Sequence, residues 1–140
     1  VFNTNGPMMS KTDTRVIPRF ISQALSQKPL TVHGTGNQVR TFCHVDDLVH
    51  GLLLVGRKGK AGEVYNLGMD RESTILDTAK LIVKLTGSQS KIEFTQRPAH
   101  DHQRRQPSLA KIRALGWQPT TTLSQGIKLT LQTIGERVGP

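Results

Sequence analysis

Apolar residues at helical spacing alternate along this chain with short runs spaced as strands. Residues 1–4 predict a strand, ended by the turn Asn5-Gly6-Pro7, and residues 8–13 a polar loop. Val16, Ile17, Phe20, Ile21, Ala24 and Leu25 recur on one face of a helix. Pro18 fits there only in the first turn, where its missing N–H costs nothing. Lys28-Pro29 ends that helix, Leu30–His33 predicts a strand, and Gly34-Thr35-Gly36-Asn37 a turn. Residues 39–45 alternate as one strand. Asp46 and Asp47 then stand where a helix cap belongs, ahead of Leu48, Leu52 and Val55. Residues 63–67 predict a strand closed by Gly68. Thr74-Ile75-Leu76-Asp77 has capping-box spacing, with Asp in place of Glu. Ile75, Ala79, Ile82 and Val83 follow on one face, and Gly87 stops the helix. Residues 91–95 predict a strand. Ser108 is the expected cap of a short helix bearing Leu109, Ile112 and Leu115. Ser124 is the expected cap of a last helix bearing Ile127, Leu131, Ile134 and Val138. Short strands alternating with helices and no internal repeat predict one α/β unit over residues 1–140.

The composition sets bounds on this picture. A chain of 140 residues, 35% hydrophobic and 21% charged, is enough for one domain with a modest core. The longest apolar run, residues 52–55, is far short of the roughly 20 residues a membrane span needs. One cysteine, Cys43, allows no internal disulfide and predicts a cytoplasmic setting. The chain opens on "VFNTNGP", inside an expected strand and without a methionine, as a piece of a longer protein would.

The net charge of +9 calls for an anionic partner. The cations are scattered, and Tyr65 and Trp117 are the only tyrosine and tryptophan, which leaves little for stacking bases. Nucleic acid is therefore disfavoured, and a small phosphorylated metabolite fits better. Arg40 has two readings: an edge-strand arginine paired to Asp46 or Asp47, or a planar guanidinium aimed at a phosphate. Arg97, Arg104 and Arg105 share one loop with Asp101. That loop is either a solvated basic segment or a grip for a nucleoside diphosphate, with arginines on phosphates and the carboxylate on ribose. Asn3, at the end of the first strand, is either a turn residue or a ligand contact at the carboxyl edge of an open α/β sheet. His100-Asp101-His102 lacks the further ligands a metal site needs, so no metal is expected. Gly34-x-Gly36 lacks a third glycine and precedes a strand, so it is no dinucleotide fingerprint.

Five segments in order carry a resemblance: "FNTNGP", "RVIPRFISQAL", "PLTVHGTGNQVRTFCHVDDLVHGL", "GEVYNLG" and "LGWQP". Together they resemble the C-terminal, substrate-binding part of extended short-chain dehydrogenase/reductases acting on nucleotide sugars. Among these the resemblance is greatest to UDP-glucuronate decarboxylases, which make UDP-xylose; dTDP-glucose 4,6-dehydratases and UDP-sugar 4-epimerases come next. The resemblance implies an NAD-binding Rossmann domain, with a Ser/Thr and Tyr-x-x-x-Lys catalytic set, N-terminal to these residues. It implies a UDP-sugar or dTDP-sugar as ligand, a homodimeric parent and no catalysis by this part alone. A Golgi anchor, where one exists, would belong to the missing N-terminal part. By the same resemblance Asn3 contacts the substrate near its sugar and diphosphate. Leu30, Val32 and His33 lie beside the base, and Arg40 lies on the diphosphate. Arg105, with Arg104 and Arg97 behind it, supplies a further phosphate contact, and Asp101 the ribose contact. Asn5 and His33 stand where the family usually has Tyr, Met8 near its Arg, and Ser108 at its Asp.

Overall fold

The computed structural model describes residues 1–10, 13–99 and 101–137. The chain runs β1 (Thr4–Asn5), α1 (Val16–Leu25), β2 (Leu30–His33), β3 (Val39–Thr41), β4 (Cys43–His44), α2 (Val45–Lys58), β5 (Glu72–Thr74), α3 (Ile75–Thr86), β6 (Ile92–Thr95), α4 (Ala110–Ala114) and α5 (Leu123–Arg137). The described residues form three two-stranded sheets: β1 with β4 and β2 with β6, both parallel, and β3 with β5, antiparallel.

The helix over α1 forms as the periodicity predicts. Pro18 sits in its first turn, and Ile17, Phe20, Ile21 and Ala24 are buried. Phe20 is wholly buried, which stabilises the fold by about 2–3 kcal/mol relative to exposure. These side chains pack with Leu30 and Val32 of β2, Ile75, Ala79 and Ile82 of α3, Phe42, and Ile127 of α5. A second cluster gathers Cys43, Leu48, Leu67, Met69, Leu109, Ile112 and Trp117. Gly51 lets α2 approach closely: a Cβ there would lie 2.5 Å from Leu67 Cδ2 and 3.1 Å from the Trp117 ring.

α3 starts as read: Thr74 Oγ1 accepts from the Asp77 N–H at 2.9 Å and donates to the Asp77 carboxylate at 2.7 Å. It stops at Gly87, whose φ of 64° is left-handed.

Several expectations are corrected. Residues 39–45 are not one strand. Phe42 turns into the core, so the segment before it pairs with β5 and the segment after it with β1. The N-cap of α2 is His44, whose imidazole accepts from the Asp46 N–H. Asp46 and Asp47 lie in the first helical turn, where carboxylates oppose the helix dipole. Leu52 faces outward at 49% exposure. Residues 63–67 form no strand; one backbone bond, Phe2 N–H to the Leu67 carbonyl at 2.9 Å, ties them to the first segment. β5 is a charged three-residue strand that alternation does not reveal. α4 follows Leu109, with no side-chain cap from Ser108. α5 is capped two residues earlier than expected, by Thr122 in place of Ser124. Thr122 Oγ1 accepts from the Gln125 N–H, and Gln125 Oε1 accepts from the Thr122 N–H, a complete capping box. Val138 lies outside the described residues.

Candidate functional site

Three strands and one loop bring the arginines together. β3 carries Arg40. β6 pairs with β2 and sends the chain into the basic loop. That loop docks on β3 through the Val39 N–H, which donates to the Gln103 carbonyl at 2.9 Å, and through a bridge between Val39 and Arg104. The Arg40 guanidinium donates to its neighbour's carbonyl, Val39 O, at 2.8 Å, and to the Asp101 carboxylate. Arg97 donates from Nε to the other Asp101 oxygen at 3.4 Å and from Nη2 to the Asp101 carbonyl at 2.9 Å. One carboxylate thus holds two guanidiniums. The Arg40 side chain is 12% exposed and that of Asp101 22%.

Asn3 fixes the next part of the site. Its carbonyl accepts from the Cys43 N–H at 3.0 Å, while its buried Nδ2 has no hydrogen-bond partner among the described residues. Asn3 lines two cavities. One, about 430 Å³, is shared with Arg104 and Arg105. The other, about 360 Å³, is shared with Arg15, Val16 and Arg40. Arg40 and Val16 also line a third, about 350 Å³, with Arg19, His33, Gln38 and Asp101. Shared walls set these three cavities side by side, and the row they form, here termed the groove, runs from Arg105 past Asn3 and Arg40 to His33. A larger cavity of about 590 Å³ lies between α1, α3 and α5, but none of its lining residues is charged. Charge, not size, places the site in the groove.

The expected residues separate clearly. Asn3, His33, Arg40, Asp101, Arg104 and Arg105 meet along the groove. Arg97 reaches it through Asp101. Leu30 and Val32 are wholly buried in the core, so their side chains touch no ligand. Asp101 is engaged by two arginines and holds both guanidiniums in place. Arg104 pairs with Glu72, which raises its guanidinium pKa further, and it also donates to Gln106 at 3.0 Å. The partner foreseen for Arg40, Asp46 or Asp47, is not the one found. Asp46 lies at the exposed start of α2. Asp47 is saturated elsewhere: Oδ1 accepts from Thr120 N–H and Oγ1–H at 3.1 and 3.0 Å, and Oδ2 from Thr121 N–H at 2.8 Å.

Two residues were not foreseen. Arg19 donates from Nη1 to His33 Nε2 at 3.1 Å and from Nη2 to the Thr31 carbonyl at 3.1 Å. Burial lowers its guanidinium pKa. Gln38 donates to the His33 carbonyl at 2.9 Å. Arg19 was readable only as the polar member of an apolar helix face; nothing in the spacing placed it beside His33.

The turn after β2 does not fit a dinucleotide. Gly34 and Gly36 adopt φ of 61° and 76°. Side chains occupy the space at both: a Cβ at Gly34 would meet Arg97 at 3.3 Å, and one at Gly36 would meet Val32 at 2.8 Å. The turn leads into a strand and not into a helix N-terminus. His100 lies outside the described residues; among those described, no three His, Cys, Asp or Glu gather as metal ligands. No described helix is long and apolar enough to cross a membrane.

Residues 1–68 match the model of the NAD dependent epimerase/dehydratase family. Across 139 residues the chain is 40% identical to UDP-glucuronic acid decarboxylase 4 of Arabidopsis thaliana, covering 99% of this chain and 31% of that protein. The chain is similar to members of this family. A zebrafish (Danio rerio) UDP-glucuronic acid decarboxylase 1 is 43% identical over 133 residues, 94% of this chain and 32% of its own length. The chain thus spans about a third of these curated relatives. UDP-glucose 4-epimerase of Thermotoga maritima, solved with UDP-glucose, superposes with a TM-score of 0.92 at 28% identity, over 99% of this chain and 45% of that one. UDP-glucuronic acid 4-epimerase of Bacillus cereus, solved with UDP-glucuronic acid and NAD, gives 0.87 at 28% identity, over 97% and 44%. The expected α/β fold stands on these superpositions.

Proposed function

We propose that this chain forms the nucleotide-sugar-binding portion of an NAD-dependent enzyme of the UDP-glucuronate decarboxylase type. The groove lined by Asn3, Arg40 and Arg105 carries this reading. Arg40 uses two of its five N–H donors within the protein, which leaves three for phosphoryl oxygens. Asp101 and Val39 fix the guanidinium plane, so little side-chain entropy is lost when a diphosphate arrives. The unpartnered Asn3 Nδ2 adds a neutral donor one step along the groove. Arg105 has no ion-pair partner among the described residues and stands at the outer end. The likeness to relatives that act on UDP-glucuronic acid supports a diphosphate bridging a base and a sugar.

NAD supplies hydride transfer in enzymes of this kind. The turn at Gly34 and Gly36 does not form its cradle, so we place the cofactor on residues outside this sequence. The part played here is binding and orientation.

Calorimetric titration with UDP-glucose tests the reading against a polyanion-binding role. Saturable UDP-glucose binding that survives 200 mM salt is the expected result. Binding of a short DNA duplex that falls steeply with salt, without UDP-glucose binding, would overturn it.

A further inference from the structure

The inner end of the groove is built differently from its middle. Val16, Ile75 and Pro98 give it apolar walls. Its polar groups are Arg19, His33 and Gln38, set beyond Arg40 and Asp101. Hydrogen-bond roles there are fixed by one fact: a guanidinium only donates. His33 Nε2, at 3.1 Å from Arg19 Nη1, therefore accepts. The imidazole proton must then lie on Nδ1, which donates to Thr95 Oγ1 at 2.8 Å. Register places Thr95 directly across the β2–β6 ladder from His33. The ring is thus locked as its neutral Nδ1–H tautomer, and through Nε2 it holds Arg19 in place. The Thr31 carbonyl fixes the second guanidinium nitrogen. Each terminal nitrogen of Arg19 keeps one N–H for a ligand. Gln38, anchored through its Nε2, keeps Oε1 as an acceptor.

Apolar walls bordered by a fixed donor pair and one acceptor suit a planar ring with carbonyl groups. They suit a sugar poorly, because every hydroxyl would need its own partner. We infer that Arg19 is a specificity-determining residue of this groove, donating to a carbonyl of the ligand's pyrimidine base, and that neutral His33 is the positioning residue that holds it. This rests on the reading of the groove as a nucleotide-sugar site.

Two ligands separate the parts: UDP-glucose carries base and diphosphate, pyrophosphate only the latter. Arg19→Gln is expected to weaken UDP-glucose on the order of tenfold and to leave pyrophosphate within about twofold. His33→Leu removes the acceptor and should weaken UDP-glucose several-fold. His33→Gln supplies an amide oxygen for Arg19 and an amide N–H for Thr95, and should restore most of that loss. Nitrogen-15 spectra of wild-type His33 at pH 8 should show the Nδ1–H tautomer, and amide spectra of each variant should match wild type away from the groove. The inference is overturned if Arg19→Gln binds UDP-glucose as wild type does, or loses both ligands equally. It is equally overturned if His33→Gln is as weak as His33→Leu, or if His33 carries its proton on Nε2. Wild-type protein that binds neither ligand would refute the nucleotide-sugar reading itself. Loss of both ligands in Arg40→Gln, with Arg19→Gln unaffected, would refute only the present inference.

Discussion

Asp47 and Asp101 are both partly withdrawn from water and both hold other groups in place, yet their partners differ in kind. Asp47 accepts from two backbone amides and one hydroxyl, while its own carbonyl accepts from the Trp117 indole at 3.0 Å. Every group in that knot is satisfied within the protein. Asp101 instead holds the guanidiniums of Arg40 and Arg97, each with donors to spare. A closed set of hydrogen bonds builds scaffold; an open one, held rigid, builds a site. Asp47 joins the start of α2 to residues 117–121, and so supports the ground on which β4 and β1 stand.

Breaking the closed set should cost most. Asp47→Ala takes the charged acceptor from the Thr120 and Thr121 N–H groups and the Thr120 hydroxyl, and urea unfolding should show a loss of about 3 kcal/mol. Acid sharpens the same point. Burial pushes the Asp47 carboxyl up, but the hydrogen bonds from Thr121 and Thr120 outweigh it and hold the group below its ordinary value. A lowered folded value means that the unfolded chain binds the proton more tightly. The stabilisation is complete above the unfolded value of about 3.9 and disappears as pH falls through the folded one. The Tm of wild type should therefore fall more steeply than that of Asp47→Asn from about pH 5 downward. Equal slopes would remove Asp47 from the account.

Next in size is Gly51→Ala, which forces Leu67 and Trp117 away from α2. About 2 kcal/mol should be lost in the same assay, and no loss would show that this contact yields freely. Thr74→Ala removes the α3 cap and should cost about 1 kcal/mol. Cys43 provides the mildest test: burial, with Asp47 adding to it, pushes its thiol up to about 12. Thiol-specific reagent at pH 8 should label it only as fast as the protein unfolds.

How much of this was legible in the sequence follows from the range of the interactions involved. Helices α1 and α3 were read well, because periodicity, Pro18, the Thr74 cap and Gly87 act within a turn of their own residues. Residues 39–45 were misread because both halves have strand character and only their different partners divide them. The α2 cap was missed because His44 does locally what an aspartate was expected to do. The groove was half legible. Arg40 and the basic loop stood out by residue type. The contacts joining them, Val39 to Gln103 and Arg40 to Asp101, span more than sixty residues of chain and leave no local mark. Arg19 was invisible for the same reason, since its meaning depends on β2 lying across α1.

The central claim is that Arg40, held by Asp101 and Val39, grips the diphosphate of a nucleotide sugar. Titration of UDP-glucose into Arg40→Gln protein, with its unfolding midpoint checked beside wild type, tests this most directly. The account predicts at least a tenfold weaker Kd with the fold retained, as expected when a charged hydrogen-bond donor is lost. A folded Arg40→Gln protein that binds UDP-glucose as tightly as wild type would contradict it.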